Sequence, residues 1–219
     1  MKKYKGIIFD MDGVLLDSER LYKQIEVKMY AEIGIAPNQA EIAKSMGMGC
    51  ERWWSYLKET YHLKVSPKEQ AEYESQRYAE LLDDPDKRPA IFPGVLECFK
   101  TCRQAGLHLT IASGSKRYLV KKVIGLLKIE PYLDGFVTSE DVEAGKPDPA
   151  IIIKAAKLMG VHPEDCLVID DATNGILAGK RSGADAWLFA SAAPQLVDAS
   201  KADLTVKSHR EILENLNLI

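Results

Sequence analysis

Cysteine is scarce in this chain, and Cys50, Cys98, Cys102 and Cys166 form no CxxC pair and have no histidine nearby at zinc-site spacing. That excludes a structural zinc module and leaves no disulfide framework. Cys98 and Cys102 are spaced to share a helix face, and buried free thiols are expected, which suits a reducing cytoplasm. Also missing is an apolar run long enough to cross a bilayer. The Lys2-Lys3-Tyr4-Lys5 start leads into an apolar stretch that Asp10 and Asp12 cut short, so it does not read as a signal peptide or a membrane anchor. Neither sign of charge dominates. A net charge of −3 gives no electrostatic footprint for nucleic acid or an anionic membrane, while leaving a small charged substrate open. There is no internal repeat and no low-complexity segment. With 46% hydrophobic and 28% charged residues the chain is globular, and its 219 residues suffice for one good core with a smaller accessory unit. A monomer is the default.

What is present begins with Ile7-Ile8-Phe9-Asp10-Met11-Asp12-Gly13-Val14-Leu15-Leu16-Asp17-Ser18. An apolar run without polar alternation reads as a strand buried on both faces, as in parallel sheets covered by helices. Such folds place their sites at the carboxyl ends of the strands. Asp10 and Asp12 project to the same side of an extended chain, and carboxylates so close repel unless a cation or a shared proton relieves them. The pair therefore asks for Mg²⁺ or acid–base work. A solvated turn is the competing reading, since Asp and Gly are turn residues.

Downstream, Asp17-Ser18 offers helix caps, and Leu21, Ile25, Met29 and Ile33 recur at helical spacing until Gly34. Ile42 with Met46 marks a short helix, and Trp53, Leu57 and Tyr61 mark another. Ser66-Pro67 starts a third, which ends at Asp83-Asp84-Pro85-Asp86. Residues 18–86 thus read as a small helical bundle inserted into a core made of 1–17 and 87–219. After Pro89 the pattern alternates. A helix runs from Pro93-Gly94 to Gly106, then a strand from Leu107 to Ala112. Ser115 caps a helix carrying Val120, Val123, Ile124 and Leu127. A short strand follows from Phe136 to Thr138, and then a loop with Gly145-Lys146-Pro147-Asp148-Pro149. A helix through Met159 leads to a strand from Cys166 to Ile169 that ends in Asp170-Asp171. A further helix and strands at Ala186–Phe189 and Leu204–Val206 complete it. The expected fold class is α/β, a doubly wound, Rossmann-like parallel sheet with an inserted α-helical unit.

In such a sheet polar residues at successive strand ends meet in one crevice. The sequence supplies Asp10 and Asp12, then Ser113-Gly114-Ser115, then Lys146, then Asp170 and Asp171. Carboxylates from two strands make a hard-oxygen site suited to Mg²⁺. A lysine, a serine hydroxyl and the backbone N–H groups of the Gly114-Ser115 turn suit a phosphate.

These four motifs, in this order and over essentially the whole chain, resemble the haloacid dehalogenase superfamily, in its group of β-phosphoglucomutase-like enzymes and capped sugar phosphatases. The resemblance implies an enzyme, a phosphoric monoester hydrolase using Mg²⁺. Asp10 would be the nucleophile that forms an aspartyl-phosphate. Asp12 would protonate the leaving alcohol and then activate water. Mg²⁺ would be held by the Asp10 carboxylate, the Asp12 main-chain carbonyl and Asp171, with Asp170 assisting. Ser113, Lys146 and the backbone N–H groups of Met11, Asp12 and Gly114 would cradle the phosphoryl group. Asn174, one turn past the metal pair, would contact Asp10 or substrate. Gly47, Arg52 and Lys116 complete the expected substrate-binding set.

Departures from the family pattern discriminate within it. Sugar-phosphate mutases of the group often carry a histidine where this chain has Tyr22. The loop Met46-Gly47-Met48-Gly49-Cys50 places no arginine where those enzymes grip a distal phosphate, although Arg52 lies two residues on. A hydrolase of a small phosphorylated metabolite is the leading expectation, with a mutase as runner-up. A phospho-receiver switch is the non-enzyme alternative, and the inserted bundle and Asp12 speak against it. Ala172 stands where a serine is usual, which removes a hydroxyl from the acidic motif. Trp53 and Trp54 read as bundle core before substrate clamp. Lys116 and Arg117 read as substrate contacts or a solvated first turn. Gly47 and Gly49 read as loop mobility or helix termination. His62, His108, His162 and His209 read as surface or hydrogen-bonded residues rather than ligands.

Overall fold

A computed structural model describes residues 3–45, 49–190 and 197–219. The first strand, β1 (Gly6–Phe9), is buried at every position, as its uninterrupted apolar run requires. It pairs in parallel with β2 (His108–Ala112) on one side and β4 (Cys166–Asp170) on the other. With β3 (Gly135–Val137), β5 (Asp185–Phe189) and β6 (Leu204–Val206) the order is β3-β2-β1-β4-β5-β6, all parallel. The order reverses between β1 and β4, and the crevice at that seam is where doubly wound sheets bind ligands.

Alternate residues of β1 serve opposite faces. Ile7 and Phe9 join one apolar cluster with Leu109, Ile111, Leu167 and Ile169, which α5 (Val95–Gln104), α6 (Arg117–Leu127) and α9 (His209–Asn215) cover. Ile8 joins the other with Val168 and Ala186, covered by α7 (Ala150–Met159) and α8 (Thr173–Ser182). Between β1 and α5 the chain makes four helices, α1 (Glu19–Ile33), α2 (Gln39–Ser45), α3 (Cys50–Tyr61) and α4 (Pro67–Asp83). Their buried side chains, Trp53, Trp54 and Leu57 among them, continue the first cluster without a break. Trp53 and Trp54 are therefore packed core, as their spacing indicated. Ser66 caps α4 as expected, accepting from the Glu69 N–H, with Pro67 at the first turn. Among the described residues no helix is long and apolar enough to cross a membrane.

Three local expectations need correction. Ser18 occupies the cap position of α1 but makes no side-chain cap bond. The helix expected to be capped by Ser115 begins at Arg117, with Lys116 at the cap position. The Ser115 hydroxyl donates instead to a carboxylate of the site described below, whereas Ser18 Oγ is buried with no partner of normal hydrogen-bond geometry. His209, expected at the surface or satisfied, is fully buried against Phe189, and neither ring nitrogen has a partner of normal hydrogen-bond geometry.

Burial depresses the His209 pKa from 6.5 to about 4, with the Pro93 backbone opposing. The unfolded chain therefore binds this proton first on acidification. Stability attributable to neutral His209 is complete above pH 6.5 and is lost as pH falls from there to about 4, an effect of about 3 kcal/mol. Urea unfolding of wild type and His209→Leu across that range checks it. The stability difference between the two proteins should move against wild type by that amount, and a pH-independent difference would contradict it.

Candidate active site

Backbone register builds the site. Phe9 pairs with Ile169 and the Asp10 N–H donates to the Ile169 carbonyl at 2.8 Å, so Asp10 and Asp170 leave adjacent strand ends side by side. Both are buried. Lys146, brought in by the loop before α7, donates to Asp10 Oδ1 at 2.5 Å and to Asp170 Oδ2 at 2.7 Å. One ammonium thus bridges two strands. Burial holds the Asp10 carboxyl above its ordinary range, with Lys146 opposing the rise only in part. Burial alone would lower the Lys146 ammonium, but Asp10 and Asp170 more than offset that and hold it above its usual value.

Asp171 completes the acidic set. Oxygens of Asp10, Asp170 and Asp171 lie within 4.8 Å of one another, a donor set of hard oxygens at the spacing a divalent cation bridges. Two glycines make room for it. A Cβ on Gly13, whose φ is +74°, would lie 1.8 Å from Asp171 Oδ2, and a Cβ on Gly175 would lie 1.9 Å from Asp170 Cγ. At Ala172, where a serine is usual in the family, the backbone N–H donates to Asp170 Oδ1 at 3.0 Å, so the motif keeps a hydrogen bond without the side chain.

The Asp12 carboxylate lies apart from the cation set and serves other partners. Ser115 Oγ donates to its Oδ2 at 2.8 Å, and the Tyr78 hydroxyl, from α4, donates to its Oδ1 at 3.3 Å. Burial raises the Asp12 pKa, and the hydroxyls of Ser18, Ser115 and Tyr78 oppose the rise. Tyr22 stacks on Tyr78 with ring centroids 4.3 Å apart and is itself raised by burial and by Asp12. Ser18 and Tyr78 are not among the site residues expected from sequence, and Ser115 is expected there for its backbone N–H, not for its hydroxyl. Ser18 and Ser115 occupy positions that read as helix caps, and Tyr78 lies inside a helix read only from its two ends.

Ser113 is buried at the end of β2, and its Oγ accepts from the Ser115 N–H at 3.0 Å, leaving its own proton to donate. Met11 is fully buried. Gly114 is exposed and would meet nothing on gaining a Cβ, so this turn is open. Asn174 is the second residue of α8, half-buried beside the acidic pair. Lys116 is half-buried and close enough to act electrostatically on the Cys50 thiol. Arg117 turns outward, pairing with Asp141 and lying over Phe136. Arg52 is exposed on α3, and Gly47 lies outside the described residues.

Above the tyrosine pair, one turn along the same helices, stand Glu26 and Glu74. Glu74 is buried and accepts from Trp54 Nε1 at 2.8 Å and from Cys50 Sγ at 3.0 Å. Burial, reinforced by Glu74, pushes Glu26 up to about 7. Glu26 and Glu74 thus form a carboxyl pair inside the helical unit, a feature invisible in helical periodicity.

The family model for haloacid dehalogenase-like hydrolases matches residues 4–183. The chain belongs to that family. Hexitol phosphatase B of Escherichia coli is 30% identical over 178 residues, covering 79% of this chain and 78% of its own. The phosphorylated carbohydrates phosphatase of Thermotoga maritima is 28% identical over 183 residues, covering 82% of each chain. Among solved structures, CbbY from Rhodobacter sphaeroides in complex with phosphate superposes with a TM-score of 0.83 over 98% of this chain and 99% of its own, at 20% identity, a likeness of fold. The chain is an enzyme, a phosphatase of the phosphoric monoester hydrolase class.

The glycine at 175 offers a test of this packing. In Gly175→Ala the added methyl displaces the Asp170 carboxylate and loosens its bond to Lys146. Affinity for a divalent cation, measured by calorimetric titration with Mg²⁺, should fall about 10-fold or more. Unchanged affinity would show that Asp170 is not held where the packing puts it.

Proposed function

We propose that this enzyme is a Mg²⁺-dependent phosphatase of small phosphorylated metabolites with an uncharged, hydroxyl-bearing body, a sugar or sugar-alcohol phosphate. The observation that carries it is the Lys146 bridge between Asp10 and Asp170 beside the Asp10, Asp170 and Asp171 oxygens. Asp10 and Asp171, with the Asp12 main-chain carbonyl and Asp170 in support, would hold Mg²⁺, which supplies charge neutralisation for the phosphate oxygens.

The protein's own groups perform the rest. Lys146 orients the Asp10 carboxylate and screens it from the incoming phosphate dianion, while Ser113 and the N–H groups of Met11, Asp12 and Gly114 bind phosphoryl oxygens. Asp10 attacks phosphorus and the P–O bond to the alcohol breaks, leaving an aspartyl-phosphate. Asp12 gives its proton to the departing alkoxide. It then takes one from the water that releases phosphate and regenerates Asp10. Residues 18–86 act as a cap that closes over the core formed by 1–17 and 87–219 and excludes bulk water.

The cap's chemistry favours hydrolysis of a monophosphate over a mutase cycle, which needs a second, distal phosphate. Glu26 and Glu74, shifted toward their neutral forms by burial, offer that phosphate no countercharge and would exchange hydrogen bonds with hydroxyl groups instead. The sequence places Tyr22 where the mutases often carry a histidine and no arginine in the stretch Met46-Gly47-Met48-Gly49-Cys50. Lys116, half-buried after β2, and Arg52, exposed on α3, are the further cations assigned to the substrate. The four unbridged cysteines suit a reducing compartment such as the cytoplasm.

A panel of sugar, polyol, nucleotide and phosphocarboxylate monoesters tests the reading. Phosphate release should require Mg²⁺, stop with EDTA, and favour neutral polyol and sugar esters. In Asp10→Asn it should drop by orders of magnitude on every substrate. Retained release in that variant, or conversion of a hexose phosphate without phosphate release, would refute it.

A further inference from the structure

Asp12 belongs to the core, yet one of its two carboxylate oxygens is held from the helical unit. Ser115 Oγ, at the end of the β2 crevice, donates to Oδ2 at 2.8 Å. The Tyr78 hydroxyl, 66 residues away in sequence on α4, donates to Oδ1 at 3.3 Å. Tyr78 is completely buried and its ring is fixed by the stack on Tyr22 of α1, with an interplanar angle of 20°. Ser18, where the chain leaves the core for α1, is buried beside the same carboxylate. A hydroxyl placed by a buried, stacked ring has little rotational freedom left, so its position reports the position of the two helices that carry it. The 3.3 Å separation is longer than an ordinary O–H···O bond of roughly 2.7–2.8 Å. Contacts of this kind shorten in the reacting complex.

We infer that Tyr78 is a positioning residue that orients Asp12 toward the leaving-group oxygen only when α1 and α4 are seated on the core, so that cap closure and leaving-group protonation are one event. The inference rests on the role proposed above for Asp12. With Tyr78 withdrawn, Ser115 alone restrains the carboxylate, and it pivots about that single bond. Seating of α4 supplies the second anchor. Tyr78 moves no proton to substrate itself. It donates to Oδ1 and leaves Oδ2 and the Ser115 bond to set the direction of the acid. A phosphate ester bound under an unseated cap would find the nucleophile in place and the acid misaligned, which restricts turnover to substrates small enough to be enclosed.

The experiment compares two leaving groups in one variant. Tyr78→Phe keeps the ring and its stack and removes only the hydroxyl. kcat/KM is measured for p-nitrophenyl phosphate, whose leaving group departs without protonation, and for whichever of sorbitol, glycerol and ribose monophosphate wild type turns over fastest. The alkyl ester should lose about 10-fold or more, while the aryl ester changes by less than about 3-fold. In an Asp12→Asn background the same substitution should have no further effect on the alkyl ester. Equal losses on both esters, no loss on either, or multiplicative effects of the two substitutions would each overturn the inference. Thermal unfolding of Tyr78→Phe identifies an equal loss as a packing defect. If Asp12→Asn itself fails to separate the two esters, the role of Asp12 is what fails. If it separates them and Tyr78→Phe does not, only the role of Tyr78 falls.

Discussion

Lys146 donates to Asp10 and Asp170 at the seam where the strand order reverses, and much else in the molecule is arranged to keep that contact possible. Two carboxylates about 4 Å apart repel by about 4 kcal/mol at an effective dielectric near 20, and here further aspartates stand beside them. The sheet forces the proximity, because the register that pairs Phe9 with Ile169 carries Asp10 and Asp170 out together. A single ammonium relieves part of the repulsion and leaves a negative remainder, which a divalent cation would offset. Gly13 and Gly175 serve the same contact from behind, since a side chain at either would occupy the space of Asp171 or Asp170.

The helical unit meets this centre through chemistry of its own. The apolar cluster that packs Phe9 and Phe99 continues into Trp53, Trp54 and Leu57, so cap and core share packing. Polar groups line the junction in order. Hydroxyls of Ser18, Ser115 and Tyr78 surround Asp12, the stacked tyrosines come next, and Glu26 and Glu74 lie beyond.

The α/β class, the parallel order and the meeting of Asp10, Lys146 and Asp170 were legible because each depends on a short local signal placed at a strand end. An uninterrupted apolar run followed by polar residues carries its own address. The partners of Asp12 were not legible. Ser115 and Ser18 occupy positions where serine caps helices, and only tertiary structure shows the hydroxyl of Ser115 turned toward a carboxylate. Tyr78 and Glu74 are one turn apart on α4, and periodicity reports that a face is buried without telling what it is buried against. His209 escaped for the same reason, being a polar residue at a helix start whose burial comes from Phe189, distant in sequence. The Ala172 departure looked like a lost hydrogen bond because side chains are visible in sequence and backbone donors are not.

The central claim is a division of labour among aspartates of one chemical kind, in which Asp10 alone becomes covalently bonded to phosphorus. Mass spectrometry of peptides from an acid-quenched turnover mixture tests it directly, because an acyl phosphate survives brief acid and marks its residue. The phosphoryl group should be found on the peptide carrying Asp10, with fragmentation placing it on Asp10 and not on Asp12, and the peptide of Asp170 and Asp171 should be unmodified. A phosphoryl group on Asp12 or on either aspartate of the second pair, or no acyl phosphate while phosphate accumulates, would contradict the account.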